Sequence, residues 1–368
     1  MRLPSFTELT DEQKKVFLQD PLKSILVVGP PGTGKTSCAL WKAQVLAKEY
    51  GLNVTLVTRN RMLSALAVQI SQDHGGAPVK SVTMHGCVSN DYISNGFSYP
   101  IPAHVPYDYD WERIMELYEA DNVQPSVDHL IVDEGQNLPI GFFIWAKRFL
   151  AKEMSVFADE DQTTDVDGCR VGQLISAGYR AAIPLTLNHR NTEEIANLVT
   201  AFHVKGRIPH APAKRGRSGD APRLMQVANW QELAQRVAVR YQNVGAAVGV
   251  ILYKQHHITA FHELLTALLP NDRVDHYTSQ AQPRAEQAIK MREPGVTIIS
   301  GQSAIGLEFE TVFLQDLNRS LPMRQDVDYR RMYMLCSRAR DTLILVNGPT
   351  PLSAAQLAAL PPPPLLER

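Results

Sequence analysis

Short runs of β-branched and aliphatic residues alternate with longer stretches of helical periodicity along the first half of the chain. This is the pattern of parallel strands joined by crossover helices. Ser24 to Gly29 (SILVVG) predicts a buried strand and Ser37 to Tyr50 (SCALWKAQVLAKEY) the helix that follows it. Asn53 to Thr58 (NVTLVT) predicts the next strand and Arg61 to Gln72 a helix, after which Ser81 to Met84, His129 to Asp133 and Met154 to Asp159 continue the sheet. A second series is expected to begin near Ile183 to Leu187 (IPLTL). It runs through the helix TEEIANLVTAF and the strands AVGVILY, RVDHYT, GVTIIS and ETVFLQ, and closes with Thr342 to Val346 (TLILV). Two doubly wound α/β sheets in tandem are expected, with a boundary near residue 180. Tyr92 to Asp110, rich in Tyr, Pro and Asn, reads as an irregular excursion. The stretch after Pro349, with Pro361 to Pro364, reads as a loosely attached extension.

Composition narrows the class without naming a chemistry. The 368 residues suit two domains, and 44% hydrophobic with 20% charged residues describes an ordinary globular protein. The formal net charge of -1 gives no global basic field, although a local groove can still carry positive charge. The four cysteines, Cys38, Cys87, Cys169 and Cys336, are scattered without metal-ligand spacing, which points to free thiols in a reducing compartment. No apolar stretch approaches the roughly 20 residues of a membrane span, and no basic-then-apolar run opens the chain. A cytoplasmic protein with no membrane partner is expected.

The chemistry enters with GPPGTGKT, Gly29 to Thr36, which follows a predicted strand and opens a predicted helix. Glycines (Gly29, Gly32, Gly34) let the backbone curl so that successive N–H groups, that of Thr33 included, face phosphate oxygens, and the helix N-terminus adds its positive end. Lys35 is placed to reach the β- and γ-phosphates of ATP and the Thr36 hydroxyl to hold Mg²⁺. HLIVDEGQ supplies the complement. Asp133, at the carboxyl end of a strand, is expected to hold Mg²⁺, and Glu134 to orient or deprotonate the attacking water.

With these two sites in place, the order of the remaining motifs from Leu9 to about Val346 resembles superfamily-1 helicases of the UvrD/Rep/PcrA type. That resemblance implies two tandem RecA-like P-loop domains, residues 1–180 and 181–350, followed by a Pro-rich tail at 351–368. LTDEQ looks like the Q motif, which gives Gln13 the adenine edge. VTRNRMLSAL and TMHG are similar to the first strand-binding motifs and assign Asn60, Thr83 and His85 to nucleic acid. DEGQ matches motif II, where Gln136 would sense the γ-phosphate, and ADEDQ resembles motif III, with Asp159 and Gln162. LNHRNTEEIANL resembles motif IV, with Arg190 on the γ-phosphate. SAIGLEFETVFL is similar to motif V, with Gly306 and Glu308 retained at the nucleotide, and YMLCSRARDTLILV to motif VI, with Arg338 as the arginine finger.

The chain departs from that family in four places. Tyr92 to Asp128 and Arg207 to Val296 are too short for the large helical insertions that such enzymes use on duplex. The aromatic residues that follow motif III are absent from TTDVDGCRVG, and Thr58 and Arg59 stand where motif Ia carries one. Gln302 and Ile305 replace the usual His and Lys of motif V, and Asn137 replaces a frequent Asp. The leading expectation is an ATP-hydrolysing translocase on single-stranded nucleic acid, DNA foremost, of 3′→5′ polarity if it unwinds. A second is an ATPase subunit whose protein partner, a nuclease or effector, supplies the remaining activity, with the Pro-rich tail as a docking segment. A third, an RNA remodeller of the Upf-type branch, has no support in motifs V or VI.

Overall fold

The computed structural model describes residues 8–73, 79–159, 169, 171–176, 178–179, 182–204, 217–278, 280, 282, 285–291 and 293–368. The chain divides into two compact units. One runs to Gly29 and resumes over Gly34–Leu185; the other comprises Thr186–Arg368 with the short stretch Pro30–Thr33.

The N-terminal unit opens with α1 (Asp11–Phe17), then β1 (Leu26–Val28), α2 (Lys35–Glu49), β2 (Val54–Thr58), α3 (Arg61–Asp73), β3 (Lys80–Thr83) and α4 (Met84–Ser94). A hairpin of β4 (Ala103–Val105) and β5 (Asp108–Tyr109) follows, then α5 (Trp111–Ala120), β6 (Val127–Val132), α6 (Ile140–Trp145), β7 (Ala151–Ala158), α7 (Val171–Ser176) and β8 (Ile183–Pro184). Its six-stranded sheet has the order β3-β2-β6-β7-β1-β8 and is parallel throughout. A parallel sheet covered by helices buries both faces of its strands, so they read as continuous apolar runs. β2 is buried at every position, and β7 at all but Lys152 and Glu153. Beneath the sheet, Tyr118, Phe142, Phe143 and Trp145 pack with Val132 and Val156.

The second unit carries α8 (Glu193–Thr200), β9 (Arg223–Gln226), α9 (Trp230–Val244), β10 (Ala247–Leu252), α10 (His256–Leu268), β11 (Val274–His276), β12 (Gly295–Ser300), β13 (Phe309–Leu314), α11 (Asp326–Cys336), β14 (Ala339–Asn347) and α12 (Ala354–Ala358). Its sheet, β11-β12-β10-β13-β14-β9, is again wholly parallel. Phe261, Phe313, Val250, Ile298 and Ile344 form its centre. Local chemistry sets the helix limits: Asn229 caps α9 by accepting from the Glu232 N–H, and Gly245, at φ 61, ends it. The molecule therefore has the expected fold class, two tandem RecA-like α/β domains with parallel sheets flanked by helices.

Three expectations are corrected. Ile183–Pro184, read as the opening of the second series, instead pairs in parallel with Val27 and Val28 and closes the first sheet. A two-residue strand beside the short β1 has too little pattern to announce which sheet it joins. The Pro-rich tail is not a loose extension. Leu352, Leu360 and Leu366 are buried, Glu367 forms a bridge to Arg223 on the edge strand β9, and its carbonyl accepts from the Leu224 N–H. The tail thus covers a strand edge that would otherwise expose unpaired backbone groups. Within Tyr92–Asp110, α4 continues through Ser94 and the hairpin occupies Ala103–Tyr109. Val105 and Asp108 pair across a two-residue turn, Pro106–Tyr107. Tyr107 holds φ 72, a left-handed backbone that such turns normally give to Gly or Asn and that costs another L-residue about 1–2 kcal/mol.

The four cysteines are buried, and none of them forms a disulfide. Among the described residues, no helix is long and apolar enough to cross a membrane.

Candidate functional site

The phosphate loop leaves the carboxyl end of β1, where the Gly29 N–H donates to the Ala158 carbonyl at the end of β7. Gly32 and Gly34 have φ 80 and 87, which is why the motif needs glycine at these turns. Inside the loop, the Thr33 hydroxyl donates to the Pro30 carbonyl. α2 starts at Lys35, directly after Gly34. The Lys35 ammonium donates to the Gly29 carbonyl at 2.6 Å and lies 3.6 Å from the buried Asp159 carboxylate. It is thus folded across the mouth of the loop, with its charge balanced locally.

Asp133 and Glu134 follow the end of β6, the central strand beside β7. Asp133 is 1% exposed, and neither carboxylate oxygen has a hydrogen-bond partner. Burial, and then the charge of Glu134, push its pKa up to about 7, against the pull of Thr36 and Lys35. A buried carboxylate left in this state is costly unless a cation completes it. The donors at hand, the Asp133 oxygens and the Thr36 hydroxyl, are hard oxygen ligands of the kind Mg²⁺ takes, usually with waters and phosphate oxygens filling the remaining positions. No group of three or more His, Cys, Asp or Glu that could hold a metal ion occurs among the described residues.

Glu134 itself sits at φ 57, in a region that a non-glycine residue occupies only under constraint. Its constraint is Gln136, which is fully buried and whose Nε2 donates to Glu134 Oε2 at 2.7 Å. The other end of the same amide, Oε1, accepts from the Asp159 N–H at 2.9 Å. One side chain therefore ties the strand ends of β6 and β7 together and aims the carboxylate. Gln13 completes this face. Its Oε1 accepts from the Thr10 N–H in a capping box, while its Nε2 lies where a Cβ on Gly34 would come within 2.2 Å. Gln162 lies outside the described residues.

Asn60, Thr83 and His85 stand at the carboxyl ends of the neighbouring strands β2 and β3. Asn60 and Thr83 are partly occupied as helix caps. Asn60 Oδ1 accepts from the Leu63 N–H that starts α3, and Thr83 Oγ1 from the Gly86 N–H of α4. His85 is held edge-on by two rings of the hairpin, Tyr107 at 5.1 Å and Tyr109 at 5.3 Å. Burial, with the Arg59 charge second, lowers its pKa.

In the C-terminal unit, Arg190 Nε pairs with Glu308 Oε2 at 2.6 Å, while its Nη1 is buried without a partner. Burial opposes ionisation of Glu308, yet Arg190, Arg340 and Arg338 outweigh it and hold the carboxyl below its usual pKa. Gly306, at φ 79, makes the turn before this glutamate. Arg338 is 1% exposed. Its guanidinium donates to the Met334 and Leu307 carbonyls and to the Ser337 hydroxyl. Ile305 is buried as core. A second pair, buried and not foreseen from the sequence, joins Arg331 of α11 to Asp316 just beyond β13. Gly301 leaves the space for it, since a Cβ there would meet both side chains.

No protein-family model matches the chain, and no curated protein does. Its likenesses among solved structures include helicases. It is similar to the C-terminal domain of a possible DNA helicase from Lactobacillus plantarum WCFS1, with 21% identity over 49% of this chain and 97% of that one, at TM-score 0.35. It is similar to arterivirus nonstructural protein 10, a helicase, with 14% identity over 95% of this chain and 64% of that one, at TM-score 0.41. The PRRSV helicase matches at 13% identity over 91% of this chain and 54% of its own length, at TM-score 0.39. The chain thus spans less than two thirds of either viral helicase. Function is read from the residues themselves.

A cavity of about 700 Å³ lies elsewhere, against Lys23 to Leu26 and Ala151 to Met154 at the amino ends of β1 and β7. It is the end of the sheet opposite the phosphate loop.

Proposed function

We propose that the chain is a Mg²⁺-dependent ATPase that works as a motor on single-stranded nucleic acid, DNA foremost, on the plan of superfamily-1 helicases without their large insertions. The observation that carries the reading is the pair of unpartnered, buried Asp133 oxygens beside a glycine loop, Thr36 and a lysine folded over that loop. Bound Mg²⁺ would neutralise charge on the β- and γ-phosphate oxygens of ATP, held by Asp133 and Thr36. Lys35 would leave Gly29 and Asp159 for the phosphates. Glu134, aimed by Gln136, would take the proton of the attacking water or orient that water. Gln13 would meet the adenine. The resemblance implies that Arg190 and Arg338 join the γ-phosphate when nucleotide is bound. Arg190 then exchanges Glu308 for phosphate, and Glu308 is left to the nucleotide with Gly306. Loss of the γ-phosphate would remove what the arginines bind, which is how hydrolysis would drive a stroke, in the 3′→5′ direction if the motor unwinds.

Steady-state ATPase rates with and without single-stranded DNA, and again with RNA, test the reading. Stimulation by DNA is the expected result. A rate indifferent to both polymers would leave an ATPase and remove the motor. In the alternative of a subunit serving a nuclease or effector, docking on the tail would fall to the exposed Pro362 to Pro364, since Leu360 and Leu366 are buried.

A further inference from the structure

The strand-binding reading leaves a gap, since the sequence lacks aromatic residues at the places where the related helicases stack bases. We infer that Tyr107, at the tip of the β4–β5 hairpin, is the base-stacking platform of this chain, with His85 as its support. The inference rests on the proposed function and names the residue that would grip the polymer.

The case is built on a local conflict. Tyr107 occupies the turn position that favours Gly or Asn, at φ 72. Burial does not compensate it, because the residue is 78% exposed. A large aromatic side chain kept in an unfavourable backbone state and left in solvent has its use outside the fold. Its placement says which use. The ring meets the edge of His85, and Tyr109 meets His85 from the hairpin's other strand. Burial, and then the Arg59 charge, lower the pKa of the imidazole between them, which disfavours its charged form. Arg59 is close enough to His85 to lower its pKa, which puts a positive charge at the same strand ends. The same strand ends carry Asn60 and Thr83. An exposed aromatic ring at strand ends that also carry a guanidinium offers the stacking surface and the charge that an unpaired base and its phosphate need.

Binding of a fluorescein-labelled oligothymidylate by the full chain tests this, with Tyr107→Asn and Tyr107→Phe as variants. Asn suits the turn, so the Tyr107→Asn chain should melt no lower than the wild type while binding roughly 5- to 150-fold more weakly. Tyr107→Phe keeps the π-face and should bind within about twofold of wild type. The dependence of affinity on salt should keep its slope in Tyr107→Asn, since no phosphate contact is removed. An oligonucleotide carrying 2-aminopurine should be quenched by the wild type and not by Tyr107→Asn. Wild-type affinity in Tyr107→Asn, in a chain that binds the oligonucleotide, would overturn the platform and leave the motor reading standing. A wild-type chain that binds no oligonucleotide would overturn both.

Discussion

The two units treat charge at their strand ends in opposite ways. In the N-terminal unit, Asp133 is buried with both oxygens unpartnered, although Lys35 and Thr36 stand near it. In the C-terminal unit each comparable charge has a partner, Arg190 in Glu308, Arg331 in Asp316 and Arg338 in carbonyls and a hydroxyl, although Arg190 Nη1, Arg331 Nε and Asp316 Oδ1 stay unpartnered. The difference teaches that the first sheet is left electrostatically incomplete, which is what the proposed cation and phosphate site requires. The second keeps its guanidiniums in place until something displaces their partners. A low-dielectric interior makes both states consequential, since an incomplete charge there costs several kcal/mol.

Breaking the guanidinium side should have the largest effect. Arg190→Ala is expected to lower ATP turnover by about 10³- to 10⁵-fold, the range for arginines that stabilise phosphoryl transfer. Nucleotide affinity, measured by titration with a fluorescent ATP analogue, should change far less. If turnover persists in this variant, the Arg190–Glu308 pair is structural and the contrast between the units loses its functional meaning.

The buried pair should come next, and it acts on stability. Arg331→Ala strands Asp316, whose pKa burial already raises, and should cost about 3–5 kcal/mol in chemical denaturation. Replacing both residues, Asp316→Leu with Arg331→Met, should recover most of that loss, since an ion pair this deep is worth little more than good apolar packing. A double variant as unstable as the single one would show that the pair organises the C-terminal strand ends beyond its own charge.

The smallest effect belongs to Asp133 and depends on pH. Its folded-state pKa is raised, to about 7, above that of an unfolded aspartate. The folded chain therefore binds this proton more tightly than the unfolded chain, and stability falls as pH rises through the window between the two values. In metal-free and nucleotide-free buffer, Asp133→Asn should raise Tm at pH 8 and have little effect near pH 4, at roughly 2–4 °C per kcal/mol. A uniform shift at all pH values would mean that Asp133 is already completed within the fold.

Much of the contrast was legible in the sequence, but from one side only. GPPGTGKT and DEGQ stood out because the proposed phosphate and Mg²⁺ site demands particular residues at fixed places after a strand, and the structure puts both at the carboxyl ends of strands of the first sheet. Most of the strands could be read because parallel sheets leave long apolar runs. The pairings were not legible. Glu308 and Arg190, or Asp316 and Arg331, are ordinary charges until the fold brings them together. β9 (RLMQ) was invisible, being a half-exposed edge strand with no run of apolar residues. The tail misled because Pro361 to Pro364 resembles a spacer by composition, whereas Leu360 and Leu366 on either side of it are anchors. Tyr107 was hidden for a different reason, since nothing in a one-letter string announces a positive φ at a tyrosine.

Glu134→Gln gives the most direct test of the claim that the incomplete N-terminal strand ends are a hydrolytic site. The amide preserves size and a hydrogen bond to Gln136 while removing the charge that would act on water. The measurement is single-turnover hydrolysis of ATP alongside binding of Mg²⁺–ATP. Hydrolysis should fall by about 10²- to 10⁴-fold with nucleotide affinity kept within a few-fold. Hydrolysis at the wild-type rate in that variant would contradict the account.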